Sequence, residues 1–124
     1  MNYIFDTHTL VWSIFDSSKL SSVARRIILD KTLRKCVSIS SLWEIAIKNR
    51  IGKLPLPDGL DGIYSELQQN GFGIVGIYRA HIEVYNALPL IHRDPFDGII
   101  VATAIAENMT IVTNDGDIQK YAVQ

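Results

Sequence analysis

Short runs of β-branched and aromatic residues recur along the chain at positions 3–5, 36–39, 74–77 and 110–113, with a weaker run near Ala122 and Val123. None alternates cleanly between apolar and polar positions, which is the pattern of strands covered on both faces. Between them, apolar residues fall at helical spacing over 7–15, from Ser21 or Ser22 to 31, and over 41–49, 60–70, 79–87 and 95–107. Gly71 follows the fourth of these as a helix C′ residue should, and Pro95 opens the last one at its first position. Strands alternating with helices predict an α/β architecture around a mostly parallel sheet. Only residues 53–59 (KLPLPDG) break the pattern strongly, and they read as a loop inside one domain.

Composition narrows this further. At 124 residues and 48% hydrophobic content the chain has the size of one compact domain with a real core. Charge is almost balanced, 12 Lys plus Arg against 13 Asp plus Glu, so no overall field marks a nucleic-acid or membrane binder, and any such affinity must be local. Basic residues cluster at Arg25, Arg26, Lys31, Arg34 and Lys35, and again at Lys48, Arg50 and Lys53, where they could track phosphates or simply form solvated helix faces. Cys36 is alone, which excludes an intrachain disulfide and suits a reducing cytoplasm. The opening MNYIFDTHTLVWSIFD has no basic segment ahead of its apolar stretch and is not expected to act as a signal peptide. The longest apolar run elsewhere, 98–106, falls far short of the ~20 residues a membrane span needs.

Candidate chemistry lies in four carboxylates, Asp6, Glu44, Asp97 and Asp115. In a parallel α/β sheet, strand C-termini and helix N-termini share one edge, and ligands bind there. Asp6 follows the first strand, Asp115 lies two residues past 113, and Glu44 and Asp97 fall in the first turns of their helices. Four oxygen donors on one edge suit Mg²⁺ or Mn²⁺. Such ions lower the pKa of a bound water and stabilise both oxygens of an in-line displacement at phosphorus, the chemistry of phosphodiester hydrolysis.

Each acid also has a structural role open to it. Ser41-Leu42-Trp43-Glu44 reads as a capping box, with Lys48 an i,i+4 partner for Glu44. Asp94-Pro95-Phe96-Asp97 reads as N-cap, N1 and an acid at the positive end of the helix dipole. Asp6 could cap the first helix, and Asn114-Asp115-Gly116-Asp117 could be a turn. Capping is met equally by Ser, Thr or Asn, whereas here carboxylates fill all four positions. Their mutual repulsion makes most sense with a cation between them. His8, His81 and His92 have no zinc-like spacing with one another or with Cys36, and neither a G-x-S-x-G elbow nor a G-x-G-x-x-G or Walker motif is present.

The segments FDTHTLVW at 5–12, SISSLWEIAIKNRIGKLPLP at 38–57, LPLIHRDPFDGIIVATA at 88–104 and TIVTND at 110–115 resemble, in order and spacing, the PIN-domain ribonucleases, specifically the VapC-like toxins of type II toxin–antitoxin systems. The resemblance runs nearly end to end and implies a single PIN-like nuclease domain over 1–124. It further implies a three-layer α/β/α sandwich with strand order 3-2-1-4-5. Asp6, Glu44, Asp97 and Asp115 would be the acidic quartet holding Mg²⁺ or Mn²⁺, with Asp6 and Asp97 the direct ligands. Metal-dependent cleavage of RNA, a homodimer and a cognate antitoxin follow from the same resemblance, in a cytoplasmic protein. Two departures stand out: Gly98 occupies a place where arginine is usual after D-P-F-D, and Asp117 lies close enough to substitute for Asp115. The alternatives are a phosphoacceptor receiver-like signalling domain, and a catalytically silent PIN-fold module that binds RNA or protein.

Overall fold

The computed structural model describes residues 2–90 and 94–114. The chain runs β1 (Asn2–Phe5), α1 (Thr7–Phe15), a 3₁₀ turn (Ser17–Lys19), α2 (Ser22–Leu29), β2 (Arg34–Ser38) and α3 (Ile39–Arg50). It continues through α4 (Gly59–Gln69), β3 (Phe72–Val75), α5 (Arg79–Ala87), α6 (Pro95–Glu107) and β4 (Thr110–Val112). The four strands pair in parallel in the order β3-β2-β1-β4. These are the first four places of the expected order; the weak strand near Ala122 lies outside the described residues.

Alternate residues of each strand serve opposite layers. Phe5, Val37 and Val112 pack with Leu10 of α1, Ala24 of α2, Leu42 and Ile45 of α3, and Ile63 and Leu67 of α4. On the other face Ile4, Cys36, Val75 and Ile111 meet Ile100 and Ala104 of α6, over which α5 lies. Both Ile4 and Phe5 are fully buried, so β1 is covered on both sides, as its unbroken apolar run implied. Each such side chain contributes roughly 1.5–3 kcal/mol of transfer free energy.

The receiver-like alternative fails on topology. That fold uses strand order 2-1-3-4-5, which sets β3 beside β1. Here β3 pairs only with β2, and β4 takes the other side of β1.

Several boundaries moved, for local reasons. Polar Arg34 and Lys35 open β2, which ends at Ser38, because Ser38 Oγ accepts a hydrogen bond from the Ser40 backbone N–H at 3.1 Å and caps α3 without an intervening loop. The third helix therefore starts at Ile39, not Ser41, and the predicted capping box does not form. β3 also begins two residues before 74, at the polar-to-apolar junction after Gly71, whose φ of +73° is the left-handed conformation expected past the end of α4. At α6 the expectation holds: Asp94 caps it, accepting from the Phe96 N–H at 2.9 Å, with Pro95 at N1.

Candidate active site

Asp6 stands at the C-terminal end of the central strand and caps α1, accepting from the Thr9 N–H at 2.9 Å through Oδ1. Its other oxygen, Oδ2, accepts from the Thr113 hydroxyl at 2.5 Å. Because β4 lies parallel beside β1, Thr113 and Asn114 leave the sheet on the same edge. The carboxylate is nearly inaccessible and lies at the N-terminal end of α1.

Glu44 reaches the same edge from α3. Starting that helix at Ile39 puts Glu44 in its second turn, so it has no backbone capping role. Its Oε2 pairs with Lys48 Nζ at 3.0 Å, the i,i+4 contact read from the sequence. Its Oε1 is buried and has no hydrogen-bond partner among the described residues. A buried carboxylate oxygen left unpaired is costly and calls for an explanation, such as an ion that belongs there. Ser41, relieved of capping, accepts a hydrogen bond from the Thr7 hydroxyl at 2.9 Å and ties the first turn of α1 to α3.

Asp97 is the third residue of α6, in its first turn and half-buried. The ring of Phe96 meets Trp43 edge to face, centroids 5.3 Å apart, which brings the starts of α3 and α6 together. Contacts thus join α1 to β4, α1 to α3 and α3 to α6, and the three described acids are carried by this linked set. Among the described residues no three His, Cys, Asp or Glu side chains already stand together as a metal-binding group. Asp115 and Asp117 lie outside the described residues.

The hydroxyls of Thr7 and Thr113 were not singled out from the sequence, although TIVTND placed Thr113 two residues from a candidate acid, and Ser41 was read as a cap, not as a partner of Thr7. Gly98 is buried in α6, and a Cβ built there would lie 2.5 Å from Cε1 of Tyr85. The ring of Tyr85 occupies the space that an arginine at 98 would enter.

The rest of the tempting chemistry is structural. His81 is fully buried, its Nδ1 accepting from the Tyr78 N–H at 3.2 Å and its Nε2 facing Glu107 at 2.8 Å. Lys35 is buried at the opposite sheet edge, donating to the carbonyls of Ile28 at 2.6 Å in the last turn of α2 and of its C-cap Asp30 at 3.3 Å. Burial lowers its pKa, and it is not offered to phosphate. Beside it the Cys36 thiol is pushed up to about 11 by burial first and by Glu107 second.

An apolar groove of about 390 Å³ opens next to the acids between α3, α5 and α6, lined by Trp43, Ile82, Tyr85 and Phe96 among others. Trp43 is 62% exposed and Ile82 50%. No helix among the described residues is long and apolar enough to cross a membrane.

With this fold and this edge in view, the chain belongs to the PIN-domain family, whose model matches residues 3–124. It is also similar to a solved structure described as VapBC2 from Rickettsia felis bound to a DNA fragment from their promoter. That likeness has a TM-score of 0.68 at 20% identity, over 98% of this chain and 94% of the other, and is a likeness of fold. No curated protein gives a significant match.

Proposed function

We propose that this PIN domain is a metal-dependent endoribonuclease and the toxin of a type II toxin–antitoxin pair. PIN domains are generally nucleases, and the solved structure it resembles is named as a VapBC assembly. The observation that carries the reading is the buried, unpartnered Oε1 of Glu44 on the sheet edge where Asp6 and Asp97 also lie. Hard oxygen donors with one atom left unsatisfied fit Mg²⁺ or Mn²⁺.

Asp6 and Asp97 would hold the ion directly, with Glu44 and Asp115, or Asp117, completing the shell. When bound, the cation would supply charge neutralisation at the scissile phosphate and a more acidic water. The chain's own residues do the positioning. Thr113 and the Thr9 N–H fix the rotamer of the Asp6 carboxylate. The Thr7–Ser41 hydrogen bond holds α3, and so Glu44, in register with Asp6. Lys48 pairs with Glu44 Oε2 and balances its charge.

The apolar groove beside the acids supports a homodimer through α3, α5 and α6, since its exposed Trp43, Ile77, Ile82 and Tyr85 are the residues interfaces use. A cognate antitoxin would then cover the site, in the cytoplasm. The test is cleavage of total cellular RNA by the purified protein. Cutting should require Mg²⁺ or Mn²⁺ and stop in excess EDTA; cutting that survives Asp6→Ala or Asp97→Ala would end the proposal.

A further inference from the structure

One cavity on this edge meets the proposed acids only at Asp6. It holds about 130 Å³ and is lined by Asp6, His8, Thr9, Trp12 and Asn114. With a water occupying about 30 Å³ of liquid, it has room for a few waters or one planar ring.

Thr9 sits in the first turn of α1, only 2% exposed, and its Oγ1 is buried with no hydrogen-bond partner among the described residues. A threonine hydroxyl inside a helix usually satisfies itself on the carbonyl one turn back. Thr103 does this on Ile99 at 2.7 Å; Thr9, in the first turn of α1, has Phe5 of β1 four residues back instead of a helical carbonyl. One turn apart on the same helix, the exposed His8 and half-buried Trp12 hold their rings near parallel, 22° between planes and 6.3 Å between centroids. An aromatic pair, an orphan hydroxyl and the Asn114 amide meet beside a carboxylate of the proposed catalytic set.

Unpaired bases of RNA are recognised in this way, splayed from the strand, stacked on aromatic rings that include histidine, and hydrogen-bonded along an edge. We infer that this face of α1 is a nucleobase subsite for single-stranded RNA. His8 and Trp12 stack on one base next to the cleaved linkage, and the Thr9 hydroxyl and Asn114 amide bond to its edge. A hydroxyl and an amide each donate and accept, so between them they can discriminate one base from another. The inference deepens the ribonuclease reading and names where its selectivity begins.

Binding separates the two. In a Trp43→Phe protein Trp12 is the single tryptophan, and its fluorescence reports the subsite alone. Titration in EDTA with short single-stranded RNA oligomers should quench it, and His8→Ala should weaken the oligomer by roughly tenfold. An abasic oligomer of the same length should not quench. Thr9→Val, which is isosteric, should change the ranking of the four homo-oligomers in binding, and the base preference at cut sites. Equal quenching by the abasic oligomer, or an unaltered ranking in Thr9→Val, would overturn the subsite. Loss of cleavage alone would not, because the fluorescence is read without metal; conversely, metal-dependent cutting with no base-dependent quenching would leave the nuclease standing and remove the subsite.

Discussion

Replacing Glu44 with methionine should make the metal-free protein more stable. The carboxylate buries Oε1 without a partner, and leaving a buried polar atom unsatisfied costs about 1–3 kcal/mol, more when it is charged. Against this stands the Lys48 pair, an i,i+4 contact with a partly exposed lysine that contributes about 0.3–0.5 kcal/mol. Methionine is of similar length and carries no nitrogen or oxygen to leave unpaired, so no cavity opens and only the Lys48 pair is lost. The net gain is about 1–2 kcal/mol. For a chain of this length that corresponds to roughly 3–8 °C in melting temperature. Thermal unfolding followed by circular dichroism in EDTA reads it directly. Adding Mn²⁺ should then reverse the order, since a ligand that binds only the native state stabilises it in proportion to its affinity, and the wild type should gain more. A Glu44→Met protein that melts at or below the wild type in EDTA would show that the orphan oxygen is not a stored cost. Equal Mn²⁺ increments in the two proteins would show that Glu44 does not serve a cation.

Two other perturbations follow from the packing. Gly98→Ala puts a methyl 2.5 Å from the Tyr85 ring and should cost about 1–3 kcal/mol in urea unfolding, with most of it recovered in a Gly98→Ala/Tyr85→Ala double variant; additivity of the two would disprove the clash. Cys36, its thiol held near 11 against an ordinary 9.0, carries about a hundredfold less thiolate at pH 8. Alkylation by iodoacetamide should therefore be at least that much slower in the native protein than in concentrated guanidinium, and comparable rates would contradict its burial.

What the sequence conveyed best was whatever depends on local physics. Asp94 with Pro95 located the start of α6 to the residue, Gly71 marked the end of α4, and Asp6 caps α1. The parallel α/β fold followed from strands too uniformly apolar to have a wet face, while the three-layer arrangement was implied by the family resemblance. Mistakes arose where two local signals competed. Ser38, Ser40 and Ser41 are all plausible caps, and only the end of β2 pairing decides that Ser38 takes the role, which shifts α3 by two residues and moves Glu44 out of its supposed capping box. Lys35 looked like part of a solvent-facing basic cluster because its partners are backbone carbonyls, which carry no trace in a sequence. The hydroxyl contacts of Thr7 and Thr113, 34 and 107 residues from their partners, depend on the tertiary fold and could not be read from spacing.

The joint at Ser38 has one further consequence. A residue that ends a strand and caps the following helix leaves no slack between them, so adding or deleting a single residue there would swing every side chain of α3 about 100° around its axis. Glu44 would leave the edge and Lys48 with it. Length changes in this protein are therefore tolerable in the 53–59 loop and ruinous at the seam between β2 and α3.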